Sequence, residues 1–211
     1  EGAADAGIIN NLTTYPTIDK ALLTSLNGEG GEENVSVGYH AIEFLLWGQD
    51  LTLPSQKEAG IRPYTDFEDG GTATNQDRRR AYLNVCADLL LDHLQLVLDQ
   101  WVEGAPYRTS FLSFESDDAL SGMMTAIATL SKSELAGERV FTAYDNRDQE
   151  DEHSCFSDNT HRDLRLNFDG IKNVYLAIIS GTEKNSIHDL IAFENQSLAT
   201  EIKAGAVCVF L

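Results

Sequence analysis

Apolar residues along the chain recur mostly at three- and four-residue steps, and the alternation expected of half-buried strands is scarce. The first 35 residues are Gly- and Asn-rich with short apolar pieces, of which Ile18 to Leu26 reads as a short helix ended by Asn27-Gly28. A buried helix is expected from about Val35 to Leu46. Residues 48–75 hold Gly48, Pro54, Gly60, Pro63, Gly70 and Gly71 and read as a long loop, of a length that is often functional. From Asn75 the helical step returns through Tyr82, Val85, Cys86, Leu89, Leu90, Leu94, Val97 and Trp101, until Gly104-Ala105-Pro106 stops it. Ser116-Asp117-Asp118 reads as the cap of the next helix, which carries Leu120, Met123, Met124, Ile127 and Leu130. Residues 134–148 read as helix, 149–163 as a polar stretch, and about 164–180 as helix with Ile171, Val174, Tyr175 and Ile178. Ser186 opens a last segment, and the chain closes on the apolar run Ala206–Leu211, an end that suggests continuation. The pattern predicts an all-α protein of bundled helices with long irregular loops and no internal repeat.

Composition narrows the partners. Hydrophobic residues make up 42% of the 211, a globular proportion. Fifteen Lys and Arg stand against 34 Asp and Glu, a net charge of -19, which argues against nucleic acid or an anionic membrane surface as partner. The same charge suits a cation ligand, and equally suits solubility alone. No uninterrupted apolar run of about 18 residues occurs, so membrane insertion is not expected. No signal peptide is visible behind Glu1. Cys86, Cys155 and Cys208 are odd in number and too widely spaced for a zinc finger or a CxxC motif. The sequons at Asn11, Asn34 and Asn195 carry meaning only in a eukaryotic secretory setting.

The chemistry concentrates in two places. In GYHAIEFLLWGQDL, residues 38–51, a helix would set His40 and Glu43 about 60° apart on one face, with Trp47 between them one turn on. Their neighbours Ala41, Ile42, Phe44, Leu45 and Leu46 are apolar, and an ionised carboxylate among them costs several kcal/mol (on the order of 3–5) unless paired. A metal ion shared with His40, an Arg or Lys from another helix, or protonation would each compensate Glu43. The spacing completes neither HExxH, since Ala41 follows His40, nor HxxEH, since Phe44 follows Glu43.

The second place is QEDEHSCFSDNTHRD, residues 149–163. As a helix it would bring Glu150, His153, Ser157 and His161 within about 80° of one another, a donor mixture suited to iron, zinc or manganese. The competing reading is a solvated acidic helix start, with Asp158-Asn159-Thr160 as a break. Cys155 would point away from that face and reads as a packed residue or half of a disulfide.

These segments, with RPYTDF at 62–67, DRRRAYL at 77–83, ELAGERV at 134–140 and GIKNVYL at 170–176, resemble the imelysin family, also labelled M75 peptidases, which includes iron-regulated proteins. The resemblance runs in order over residues 1 to 180. It implies an all-helical protein of two bundle-like halves, exported to the periplasm or cell surface and linked to iron uptake. The family's GxHxxE signature is matched by Gly38, His40 and Glu43. The second motif lies near the first in the family, which would bring Glu150 or His153 towards His40. Family members carry helices upstream of Glu1 and beyond Leu211, so residues 1–211 are expected to be one imelysin-like helical domain, trimmed at both ends.

The expectation is a metal-binding protein of an iron-acquisition system. Its ligands would be His40, Glu43, Glu150 and His153, with Tyr39, Trp47, Asp50, Ser157 and His161 supporting them and Trp47 keeping water away. Iron is the expected metal and zinc the alternative, and a membrane component of an iron transporter is the expected macromolecular partner. A metallopeptidase with Asp151 or Glu152 as general base is a second reading. The third is a non-catalytic interaction protein in which His40 and Glu43 stabilise the core.

Overall fold

The computed structural model describes residues 7–31 and 34–208, and the side chains of the apolar end, Ala206–Leu211, lie outside the described residues. The fold is all-α apart from one small hairpin. Nine α-helices follow in order: α1 (Lys20–Leu26), α2 (Tyr39–Trp47), α3 (Gln76–Trp101), α4 (Pro106–Leu112), α5 (Ser116–Thr129), α6 (Thr142–Asn146), α7 (Thr160–Tyr175), α8 (Ile187–Glu194) and α9 (Gln196–Cys208) among the described residues. The chain divides into two compact units. The first comprises Glu1–Thr109 with the short segment Phe156–Asp158, and the second comprises Ser110–Cys155 with Asn159–Leu211.

In the first unit, Asp19 caps α1 by accepting the Leu22 N–H, and Asn27 ends the helix as the sequence predicts. α2 starts four residues later than expected. Gly38 at φ 91°, ψ -168° precedes it and Gly48 at φ 75°, ψ -175° follows it, a region of backbone space that essentially only glycine enters. A Cβ at Gly38 would meet nothing within 4 Å, so the demand there is conformational and not spatial. α2 is also less buried than its composition suggests. Glu43 and Leu45 are buried, whereas Leu46 and Trp47 are exposed. The core gathers Ile9, Ile18, Leu23, Val37, Leu45, Cys86 and Leu89 from the N-terminal segment, α1, α2 and the first half of α3. Fully burying a leucine such as Leu23 or Leu45 contributes about 2 kcal/mol.

Three consecutive arginines at the start of α3 hold the irregular segments in place. The Arg78 guanidinium donates to the carbonyls of Ile8, Ile9, Tyr15 and Pro16 at 2.5–3.2 Å. Arg79 donates to the Asp66 and Thr74 carbonyls, and Arg80 reaches the Phe67 carbonyl and the Asp69 carboxylate. Arg78 and Arg79 are buried, so their charged groups serve as internal scaffolding.

The second half of α3 departs from the expected inward face. Leu91, Leu94, Val97, Leu98 and Trp101 are exposed. By length and composition α3 is sufficient to cross a membrane, with an 18-residue window of mean hydropathy 1.3. Asp88 and Asp92 nevertheless interrupt any pure apolar run.

In the second unit, α5 passes without a break through a π-helical stretch, Leu130–Phe141, into α6, where two separate helices were expected. Glu115, not Ser116, is the N-cap residue of α5, and Asp117 and Asp118 lie in the first turn, favourably placed for the helix dipole. α7 begins at Thr160 and ends at Tyr175, earlier at both ends than predicted. The chain then turns through left-handed Ala177 into a hairpin pairing Ile178–Ile179 with Thr182–Glu183 across Ser180-Gly181, both at positive φ. Ser186 opens α8 with a reciprocal capping box to Asp189, as its position predicts. Tyr175, Leu176 and Ile187 form the centre of this unit's core.

Candidate functional site

α2 carries His40 and Glu43. His40 sits in its first turn and Glu43 one turn on, and His40 Nδ1 donates to Glu43 Oε2 at 2.8 Å. The other carboxylate oxygen, Oε1, accepts twice from Ser157, from the backbone N–H at 2.9 Å and from the hydroxyl at 2.7 Å. The Glu43 side chain is 10% exposed and that of His40 is 42% exposed, so one end of the pair is anchored in the protein and the other is accessible. Burial pushes the Glu43 carboxyl up, but the hydrogen bonds from His40 and Ser157 outweigh it and hold it below its ordinary value. The charge that composition alone left uncompensated is therefore satisfied by three hydrogen bonds, with no arginine among them.

Ser157 is delivered by the short segment that joins the first unit. The Phe156 ring packs edge-on against Phe44 at 5.0 Å between centroids, and the Gly60 N–H donates to the Phe156 carbonyl at 2.8 Å. Gly60 has to be glycine, because a Cβ there would come within 2.6 Å of the Trp47 carbonyl. Arg62 lies over the Phe44 ring, pairs with Asp66 at 3.3 Å, and donates its backbone N–H to the Trp47 carbonyl. Asp50, buried just beyond α2, accepts the Thr52 N–H at 2.8 Å. Burial and the charge of Asp50 raise the carboxyl of Asp158, the residue after Ser157.

The expected supporting residues are placed unevenly. Ser157 and Asp50 lie in the first unit with the pair. Tyr39 is 66% exposed and Trp47 is 39% exposed, where Trp47 was expected to keep water away.

Residues 149–163 do not form the helix that would have aligned Glu150, His153, Ser157 and His161. A 3-10 turn over Gln149–Asp151, capped by Asp148, gives way to turns, and α7 begins only at Thr160. The segment is fixed by its own polar side chains. The Ser154 N–H donates to the Thr160 hydroxyl, the Ser154 hydroxyl donates to Asp163, and the Asn159 amide also donates to Asp163. Glu150, His153 and His161 belong to the second unit, where Glu150 and His161 are exposed and His153 is half-buried. Ser157 thus reaches Glu43 from a turn and not from a helix face. Cys155 is buried and forms no disulfide among the described residues, which fits the packed reading.

Imidazole and carboxylate are donors that iron and zinc both accept. A carboxylate on one ring nitrogen is the usual partner of a metal-bound imidazole, with the metal on the other nitrogen. The donor chemistry of the pair therefore fits a metal at His40 Nε2. It is a partial set, because among the described residues no group of three or more His, Cys, Asp or Glu side chains is arranged to hold a metal ion.

No curated protein matches the chain. The family model described as Imelysin, peptidase M75, matches residues 3–206, nearly the whole length and every segment on which the resemblance rests. The chain belongs to the imelysin family.

Proposed function

We propose that this chain is an exported metal-binding protein of an iron-acquisition system, with His40 as the central ligand through Nε2. The observation that supports the reading is the fixed pair. Glu43, held by Ser157, accepts from His40 Nδ1 and so orients the imidazole, with Nε2 as the nitrogen that would take a metal. In this reading Glu43 orients the imidazole, and would become a direct ligand only by exchanging one of its hydrogen bonds. Glu150 and His153 are the proposed further donors. Iron is the proposed metal and zinc the alternative, and delivery to a membrane transporter component is the proposed route. The test is calorimetric titration of Fe(II), Fe(III) and Zn(II) into wild type, His40→Ala and Glu43→Gln. Unchanged affinity in His40→Ala ends the proposal.

A second reading has one observation in its favour. Three hydrogen bonds already satisfy Glu43, so the His40–Glu43–Ser157 arrangement works equally as a lock between α2 and the Phe156–Asp158 segment. Elemental analysis of the purified protein separates the two, since a lock needs no metal. The peptidase reading would require turnover that a chelator abolishes and that Glu152→Gln or Asp151→Asn impairs.

A further inference from the structure

The second unit carries an apolar groove along α5. A cavity of about 1200 Å³ is lined mainly by α5, α7 and α8, and one of about 520 Å³ adjoins it, the two sharing Met123 and Val174. The larger volume alone exceeds the about 300–1,000 Å³ usual for a small organic ligand. Together they follow α5 and its continuation from Ser116 to Leu130, about 21 Å at about 1.5 Å per residue. Leu120, Met123, Ile127 and Val174 contribute to the floor. Leu190 and Phe193 line it from α8 and are 59% and 88% exposed. An exposed aromatic beside contiguous apolar surface is what a protein interface offers its partner.

Charge selects the partner. The charged residues lining the groove are Asp117, Asp189 and Glu194, all acidic and all at the α8 end, whereas the end towards Leu130 is lined by uncharged residues. Asp117 sits in the first turn of α5, where the helix dipole favours it, and Asp189 serves the capping box of α8. Glu194 is the last residue of α8, where a carboxylate opposes the dipole and a neighbouring cation would relieve it. A second copy of this chain brings a further net charge of -19 and is disfavoured. We propose that the groove binds an amphipathic helix of about 14 residues from a basic partner protein. Its apolar side chains, at i, i+3, i+4 and i+7, lie on the floor, and its Lys or Arg residues meet Asp117 and Glu194. The proposal stands apart from the metal reading, because the groove lies in the second unit and needs neither His40 nor an ion.

The probes are two synthetic helices of about 14 residues with the same leucine stripe. One carries lysines at one end and the other carries glutamates there. Each is titrated into the full chain by fluorescence anisotropy. The expected result is one lysine helix per chain, weakened by salt, with the glutamate helix at least about tenfold weaker. Phe193→Ser should weaken the lysine helix at least about tenfold, as truncation of an aromatic anchor does. Asp117→Asn with Glu194→Gln should weaken it about two- to fivefold. Asp88→Asn, on α3 and outside the groove, should leave it unchanged. Circular dichroism should show the helical content of each variant retained, and sedimentation should show the unliganded chain as a monomer. No binding of the lysine helix overturns the proposal, as does a glutamate helix bound equally well. Binding unchanged in Phe193→Ser would place the contact elsewhere on the acidic surface and also overturns it. A dimer that Phe193→Ser dissociates would give the groove to a second copy instead.

Discussion

Ser157 donates two hydrogen bonds to one oxygen of Glu43 across 114 positions of sequence. That contact fixes which carboxylate oxygen is left for His40, and it ties the Phe156–Asp158 segment to α2. Ser157→Ala removes the hydroxyl donor and keeps the backbone one. Hydrogen bonds to charged groups contribute about 1.5–3 kcal/mol, so the urea midpoint should fall by that order at pH 7. The acid dependence should change as well. A carboxyl held below its ordinary value contributes stability that is full above the unfolded value near about pH 4.3 and is lost as pH falls through the native value. Ser157→Ala moves the native value upward, so wild type and variant should converge in stability as the pH is lowered. A difference that stays constant from pH 7 to pH 3 would remove Ser157 from this role.

Glu43→Gln tests whether the carboxylate orients His40. The amide keeps the shape, but the charge-assisted bond from Nδ1 is lost. Partners of this kind typically contribute 10- to 100-fold, so metal affinity should fall by about that much, while His40→Ala should fall further. The measurement is a competition titration against a chelator of known affinity. Equal losses in the two variants would mean that Glu43 is itself a ligand.

How much of this was legible in the sequence depends on the range of the interaction. The His40–Glu43 pair was readable because a three-residue step on a helix fixes neighbours locally. The start of α2 was misread by four residues because apolar periodicity extends through Val35 and Val37. The decision is made by Gly38, whose backbone angles no periodicity reports. Ser157 was singled out for a helix face that does not form, since its real partner is 114 residues away and local spacing carries no such information. Arg78 and Arg79 were missed as structural residues, because three consecutive arginines look like a solvated face until the carbonyls they bind are known.

The Arg78 clamp gives the third prediction. Its guanidinium satisfies four main-chain carbonyls of the N-terminal segment from a buried position. Arg78→Met leaves those carbonyls without donors and should cost more than about 3 kcal/mol. Arg78→Lys should recover little, because an ammonium lacks the planar fork that reaches all four. Limited proteolysis should then cut within residues 8–16 faster than in wild type, and denaturant melts should give the energies. Wild-type protection in Arg78→Met would refute the clamp.

The brackets of α2 give the fourth. Gly38 and Gly48 both occupy backbone space closed to side chains, and a Cβ at Gly38 finds open room. The cost of Gly38→Ala is therefore conformational, about 1–3 kcal/mol, and no repacking of neighbours can relieve it. Because the substitution also shifts the first turn of α2, where His40 sits, metal affinity should fall along with stability. A variant that unfolds more easily yet binds metal as wild type would show that Gly38 serves the helix alone.

Cys86 gives the last. The thiol has no exposed surface, its sulfur lies 3.6 Å from the Ser36 carbonyl, and burial pushes it up to about 11. Thiolate is the reactive form, so a disulfide reagent at pH 8 should leave Cys86 untouched in the native chain and modify it only on unfolding. A group whose native value lies above its unfolded one contributes stability that is full below the unfolded value, near about 8.5, and is lost as pH rises towards about 11. Cys86→Ala deletes this titration. Its destabilisation relative to wild type should therefore shrink as pH rises from 8 to 11, read by urea melts at each pH. A gap independent of pH, or labelling of Cys86 at the rate of an exposed thiol, would place it outside the core that holds α2 against α3.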